Sequence, residues 1–173
     1  MCSSDLGVAG AGKSTVSAHL MQQRGYTLVK FAAPLKAMCR AVGLTDDHIE
    51  GHLKEQPCDL LQGKSPRQFM QLLGTEFGRD TIGATFWTDL WMRKAREVLD
   101  TGGLVVVDDC RFPNEAACVR RLGGEIIRLS GRGGIAGGHA SEAQNFFVDD
   151  VIENDGTIAN LTAKIDQFLV RWA

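Results

Sequence analysis

No block of basic residues occurs in this chain of 173 residues, whose 19 lysines and arginines are dispersed and outnumbered by 21 aspartates and glutamates. A protein that holds long nucleic acid needs a basic stripe, so that class is disfavoured. A small phosphorylated ligand needs only a few well-placed cations and stays open. Long apolar runs are missing too: a run such as Leu104-Val105-Val106-Val107 is the size of a buried strand, far short of a bilayer span. With no signal-peptide pattern, the expected compartment is the cytoplasm, and no membrane partner is expected. Cysteine is sparse and odd in number, and no two of the five are spaced C-x-x-C. Neither structural zinc nor a disulfide framework is expected, and free thiols in a reducing compartment fit better. Repeats and low-complexity linkers are absent, which predicts one domain over residues 1–173.

What is present is an ordinary globular composition, 44% apolar and 23% charged, with strand and helix patterns in alternation. That alternation points to a parallel sheet wrapped by helices. Predicted strands lie at Thr27 to Phe31, Leu104 to Val107, Glu125 to Leu129 and Asp150 to Ile152. Predicted helices cover Ser14 to Arg24, Leu35 to Val42, Pro66 to Phe77, Phe86 to Leu99, Pro113 to Leu122 and Ile158 to Trp172. The helix from Pro66 has Ser65 as its N-cap and carries Phe69, Leu72, Leu73 and Phe77 at helical spacing. The next aligns Phe86, Leu90, Trp91, Val98 and Leu99, and the last aligns Ile158, Leu161, Ile165, Phe168, Leu169 and Trp172. Gly131 to Gly138 is glycine-dense and aperiodic, and reads as a mobile loop.

The most specific feature is Gly7-Val8-Ala9-Gly10-Ala11-Gly12-Lys13-Ser14, a full match to G-x-x-x-x-G-K-[ST] at the head of a helix. Glycines let the backbone curl so that successive N–H groups face phosphate oxygens, and the helix start adds partial positive charge. Residues Gly7, Ala9, Gly10, Ala11, Gly12, Lys13, Ser14 and Thr15 are the expected ATP contacts. Lys13 serves the β- and γ-phosphates, and the Ser14 hydroxyl serves Mg²⁺.

Asp108 and Asp109 follow the apolar strand, at the sheet end where open α/β folds bind ligands. Asp109 is the preferred partner of Ser14 at the metal, because Arg111 then lies two residues on. Arg67, Arg79, Arg111, Arg128 and Arg132 sit near element ends or loops, and forked guanidiniums suit the charge that develops in phosphoryl transfer. Which of them converge is open at this level. Residues 1–6 should form the central buried strand, yet most are polar, whereas central parallel strands are usually continuously apolar. Two readings stand: a foreign segment joined to the chain, or a true but distorted strand.

The ordered motifs resemble those of phage-type deoxynucleoside monophosphate kinases, a branch of the P-loop nucleotide kinases. After the P-loop come Phe31-Ala32-Ala33-Pro34-Leu35-Lys36, then Ser65-Pro66-Arg67-Gln68-Phe69-Met70-Gln71-Leu72-Leu73-Gly74-Thr75-Glu76, and Phe86-Trp87. Asp109-Cys110-Arg111-Phe112-Pro113-Asn114-Glu115 is similar to D-x-R-F-x-N-E, His139-Ala140-Ser141-Glu142 to H-x-[ST]-E, and Asn154-Asp155-Gly156 to the turn before the last helix. The resemblance implies an α/β P-loop NTPase three-layer sandwich, with a five-stranded parallel sheet flanked by helices. It also implies a helical acceptor-binding region at about 31–80 and a lid at about 128–145. The implied reaction phosphorylates a deoxynucleoside 5′-monophosphate at the expense of ATP with Mg²⁺. Catalytic roles then fall to Lys13, Arg67, Asp109, Arg111 and Arg132. Acceptor or closed-site contacts fall to Arg67, Gln71, Thr75, Trp87, His139 and Glu142. The partners are small nucleotides, and a homodimer is left open.

Other signals carry less. His48 and His52 are four apart but lack H-E-x-x-H and a third ligand, so a solvated helix face is expected. Trp91 and Trp172 read as core, and Cys110 and Cys118 have no adjacent base in sequence. A P-loop kinase for dephospho-coenzyme A or a sugar acid is the alternative enzyme, and a nucleotide-binding regulator without turnover the alternative of another class.

Overall fold

The computed structural model describes residues 2–6, 10–131 and 146–171. Its strands are β1 (Cys2–Leu6), β2 (Tyr26–Leu28), β3 (Leu104–Val107), β4 (Glu125–Ser130) and β5 (Asp150–Glu153). Its helices are α1 (Lys13–Arg24), α2 (Ala33–Ala41), α3 (Asp46–Ile49), α4 (Pro66–Leu72), α5 (Phe86–Leu99), α6 (Pro113–Arg121) and α7 (Ile158–Arg171). A 3₁₀ turn at Asp59–Leu61 precedes α4, and a π-helix at Leu73–Ile82 continues it. By their internal contacts the residues gather into two compact units, Met1–Lys30 with Met92–Ala173, and Phe31–Trp91.

In the first unit the strands form one parallel sheet in the order β2-β3-β1-β4-β5. β1 is central despite its polar composition: Ser3 pairs with Val106 on one side and with Glu125 on the other. Its neighbours supply the apolar content, since Val105, Val106, Val107, Ile126 and Ile127 are all buried. The connection leaving β1 leads to β2, across β3, whereas the one leaving β3 leads to β4, across β1. Right-handed crossovers running in opposite directions place α1 and α6 on opposite faces. Side-chain alternation agrees. Val106, Ile127 and Leu129 share a core with Val16 and Leu20 of α1 and with Leu161, Ile165 and Phe168 of α7, so Val105, Val107 and Ile126 face the other way. The adjacent carboxyl ends of β1 and β3 therefore flank the topological switch point, where open α/β sheets bind ligands.

Asp166 ties α7 to α1, accepting from His19 Nε2 at 3.0 Å and Arg24 Nε at 3.1 Å. The His19 contact is the main reason that its carboxyl is held below the usual aspartate range. At the amino end of β4, Asp149 Oδ2 accepts from the Ile126 N–H at 2.8 Å and from Arg120 at 2.9 Å. Glu125 Oε2 is buried there with no hydrogen-bond partner. Burial first, and then the charge of Asp149, push its pKa up.

The second unit has its own small core of Cys39, Leu44 and Ile49, packed by Leu35, Leu61, Phe69, Met70 and Leu73. Ser65 caps α4 as expected, its Oγ accepting from the Gln68 N–H while Gln68 reaches back to the Ser65 N–H. His48 does the same for α3, with Nδ1 accepting from the Thr45 N–H at 3.3 Å. Phe31 stacks on the buried Trp91 with centroids 4.4 Å apart.

Beyond Leu72 the α-helix expected to run to Phe77 widens into the π-helix. The Gly83 N–H bonds to Gly78 O, and the Thr81 hydroxyl to Glu76 O, both five residues back. The wider turn rotates the predicted apolar face out of register, so Phe77 is exposed while Gly78 is buried; Leu72, at the end of α4, is exposed as well. Trp87 holds this arrangement, its indole N–H donating to Gly74 O at 2.8 Å. The buried line of α5 likewise runs through Trp87, Trp91, Met92 and Ala95 rather than through Phe86 and Leu90. Ile158, expected inside, is the exposed first residue of α7, and Trp172 lies outside the described residues.

Two outcomes follow from these contacts. A Cβ at position 78 would lie 2.3 Å from Trp87 Nε1, so Gly78→Ala should destabilise the chain by about 1–3 kcal/mol in urea unfolding. Because Glu125 has a raised pKa, its ionisation opposes folding, and stability should fall as pH rises above the usual glutamate range. Glu125→Gln should therefore raise Tm at pH 7 and lose that advantage by pH 4.

Candidate active site

The first turn of α1 sits at the switch point because Gly12 accepts a conformation closed to other residues. Its φ of +103° turns the chain from the loop into the helix, and Gly12 O receives the N–H groups of Thr15 and Val16 at 3.0 Å. Gly10 is also left-handed, at φ +82°. Behind the loop stands Asn154, buried, whose Nδ2 donates to Ala11 O at 2.9 Å and whose backbone N–H donates to Ser130 O at 2.7 Å. A Cβ on residue 12 would meet that Nδ2 at 2.7 Å and Leu161 Cδ2 at 3.1 Å. The chain thus fits the loop only as glycine. Lys13 opens the helix half-buried, Ser14 is exposed and Thr15 half-buried. Gly7 and Ala9 lie outside the described residues.

Asp108 secures the same helix from β3. Its Oδ2 accepts from the Ser17 hydroxyl at 3.1 Å, and its Oδ1 lies 3.0 Å from Lys30 Nζ without the alignment of a hydrogen bond. The carboxylate is 4% exposed and the lysine 37%, so the pair is buried on one side and wet on the other. A charge with so little water needs such partners. Asp109, the predicted metal ligand, is half-buried at the next position and has interactions of its own. Its hard carboxylate and the exposed Ser14 hydroxyl are oxygen donors of the kind Mg²⁺ takes.

Arg111 is exposed on the loop before α6. That loop is shaped by Glu115, a buried carboxylate whose Oε2 accepts the backbone N–H groups of Arg111 at 2.7 Å and Phe112 at 3.1 Å. The motif residue thus has a structural explanation, a carboxylate in the first turn of a helix holding two amides.

In the second unit Arg67 is exposed at the second position of α4 and its Nε pairs with Glu55. Gln71 and Thr75 are exposed further along, and Trp87 is 6% exposed with its N–H held by Gly74. Arg132, His139 and Glu142 lie outside the described residues. Sequence reasoning overlooked Asn154, Ser17 and Lys30 as site-building residues. Asn154 had been noted only as part of a turn, and the other two carry no motif, being joined to Asp108 by folding alone.

Taken together, a glycine turn leading into a helix beside an acidic strand end, on a parallel sheet of this order, defines the P-loop nucleotide-binding fold. Solved structures share this fold. The chain aligns with a Thermus thermophilus protein at 18% identity over 100% of this chain and 98% of that one, with a TM-score of 0.56. It aligns with the APS kinase of Mycobacterium tuberculosis at 10% identity, 97% and 95% coverage and a TM-score of 0.51. For the shikimate kinase of Bacteroides thetaiotaomicron the values are 12%, 98% of each chain and 0.50.

Within that class, the family model described as deoxynucleotide monophosphate kinase matches residues 46–165. A protein of Acanthamoeba polyphaga mimivirus named "Putative deoxynucleotide monophosphate kinase" is 33% identical over 178 aligned positions, covering 92% of this chain and 91% of its own length. The chain belongs to the deoxynucleotide monophosphate kinase family and is a nucleotide kinase. Among the described residues, no helix is long and apolar enough to cross a membrane.

The Asp108 tie makes a measurable claim. Ser17→Ala and Asp108→Ala should each cost about 1–3 kcal/mol of stability. Because they remove one shared interaction, the double variant should lose clearly less than their sum in a denaturation cycle.

Proposed function

We propose that this kinase transfers the terminal phosphoryl group of ATP to a deoxynucleoside 5′-monophosphate, giving ADP and the deoxynucleoside diphosphate. The observation that carries the donor half is the turn at Gly12, which delivers Lys13 and the first amides of α1 to the carboxyl end of the central strand. Family membership carries the acceptor half.

In this reading the backbone amides from Gly7 to Thr15 hold the donor polyphosphate, and the Lys13 ammonium neutralises its β- and γ-oxygens. Ser14 and Asp109 hold Mg²⁺, which when bound offsets charge on the transferring phosphate. Arg67 binds the acceptor phosphate, and Gln71 and Thr75 contact its sugar or base. Buried Trp87 contributes by fixing the helix that bears them. Arg111, on the loop set by Glu115, adds a guanidinium for the equatorial oxygens. The segment of about 128–145, with Arg132, His139 and Glu142, serves as a lid that excludes water, a competing acceptor. No covalent intermediate is required, since alignment of an acceptor oxygen with the γ-phosphorus and charge neutralisation account for the chemistry.

A coupled ADP-release assay across dAMP, dGMP, dCMP, dTMP and their ribose counterparts tests the reading. Turnover with at least one deoxynucleotide is expected, and Lys13→Ala should lower kcat by about 10²–10³-fold. Transfer to a non-nucleotide acceptor, with none to any deoxynucleoside monophosphate, would overturn it.

A further inference from the structure

The change from α- to π-helix within one continuous element has a geometric consequence for four polar residues. In an α-helix each residue turns ~100°, so residues four apart drift by ~40°. In a π-helix, whose hydrogen bonds reach one residue further, ~4.4 residues complete a turn and residues four apart drift back by ~30°. With α steps to Leu73 and π steps beyond it, Arg67, Gln71, Thr75 and Arg79 fall in one stripe ~45° wide. An unbroken α-helix would fan the same four over ~120°. Exposure agrees with the stripe: Arg67, Gln71 and Thr75 are exposed and Arg79 is half-buried, while Gly78, beside Arg79, is buried against Trp87.

We propose that Arg79 is a specificity-determining residue of the acceptor site, donating to the base edge of the nucleotide whose phosphate Arg67 holds, and that the π-register brings it into line. This rests on the acceptor role proposed above for Arg67, Gln71 and Thr75. Twelve residues separate the two arginines, which sets their backbones about 15–18 Å apart along the axis. A nucleoside monophosphate spans about 10 Å, and two arginine side chains leaning toward each other from backbones that far apart reach both of its ends. A stripe with a cation at each end and an amide and a hydroxyl between them matches a ligand with a dianion at one end, hydroxyls in the middle and hydrogen-bond acceptors at the other. Guanidinium offers five donors and no acceptor, so it discriminates among bases by the acceptors they present, and a forked pair is worth about 1–3 kcal/mol of discrimination. Trp87 acts as a positioning residue, because its bond to Gly74 O and its contact with Gly78 hold the wide turns in place.

The test measures kcat/KM and equilibrium Kd for dAMP, dGMP, dCMP and dTMP with the full-length wild type and with Arg79→Ala, Arg79→Lys, Arg67→Ala and Trp87→Phe, each checked for unchanged Tm. Arg79→Ala should change the ratios among the four bases by about tenfold, and Arg79→Lys, which keeps the charge but loses the fork, should change them in the same direction. Arg67→Ala should weaken all four alike. Trp87→Phe keeps the ring and removes the N–H, and should shift the ratios toward those of Arg79→Ala. Base ratios unmoved by Arg79→Ala, or a uniform loss across bases, would overturn the specificity role, and unmoved ratios in Trp87→Phe would overturn the register argument. A wild type that binds deoxynucleotides without turning them over would refute the proposed reaction while its Kd ratios still judge Arg79. A wild type that binds none of them would refute both.

Discussion

The Asn154 side-chain amide, buried at the end of β5, donates to the carbonyl of Ala11 and leaves no room for a side chain on Gly12. The conformation of the loop before α1 depends on this contact. It joins the strand before α7 to the loop before α1, so that two segments 143 residues apart in sequence share one hydrogen bond. An amide suits the position because it donates without carrying charge. A carboxylate could not donate to the Ala11 carbonyl, and a buried ammonium would need a counter-charge. The Asp108 tie to Ser17 and Lys30 secures the same helix from the β3 side of the sheet. Between them the two contacts hold the start of α1 at the carboxyl end of the sheet.

The second unit solves a different problem. An extended polar surface on a helix drifts around the axis when its residues recur every four positions. A π segment reverses the drift, at the cost of poorer helical geometry that something else must stabilise. Here the stabiliser is an indole, with its N–H on a carbonyl of the wide turn and its ring against a glycine. The Gly78–Trp87 pair explains why a glycine sits in the middle of a helix, where its backbone entropy is otherwise a liability.

How much of this was legible in the sequence varies with the range of the interaction. The phosphate loop was readable because glycine, lysine and serine at fixed offsets encode a local backbone conformation, and Gly10 and Gly12 do adopt positive φ. The strands around Leu104 and Glu125 were readable because their apolar runs are buried on both faces. The central position of β1 is expected for the strand that leads into the phosphate loop, although its polar residues argue otherwise. Backbone pairing to two apolar neighbours decides that case. The π-helix was not legible, since Phe69, Leu72, Leu73 and Phe77 fit an α pattern, and the Trp87 contacts with the wider turn come from the next helix. Nor could two adjacent aspartates reveal which one folds inward. Asp108 makes the buried tie, and the metal role given to Asp109 rests on the motif.

The placement of β1 has a consequence for synthesis on the ribosome. Its strand partners are Val105 to Val107 on one side and Glu125 to Arg128 on the other, more than a hundred residues downstream. This segment leaves the ribosome well before either partner, and it lacks its strand pairing until more than a hundred further residues have been made. Pairings of such long sequence separation form slowly and leave strand edges exposed meanwhile. A weakly apolar first strand is less adhesive during that wait than the valine-rich run that later lies beside it.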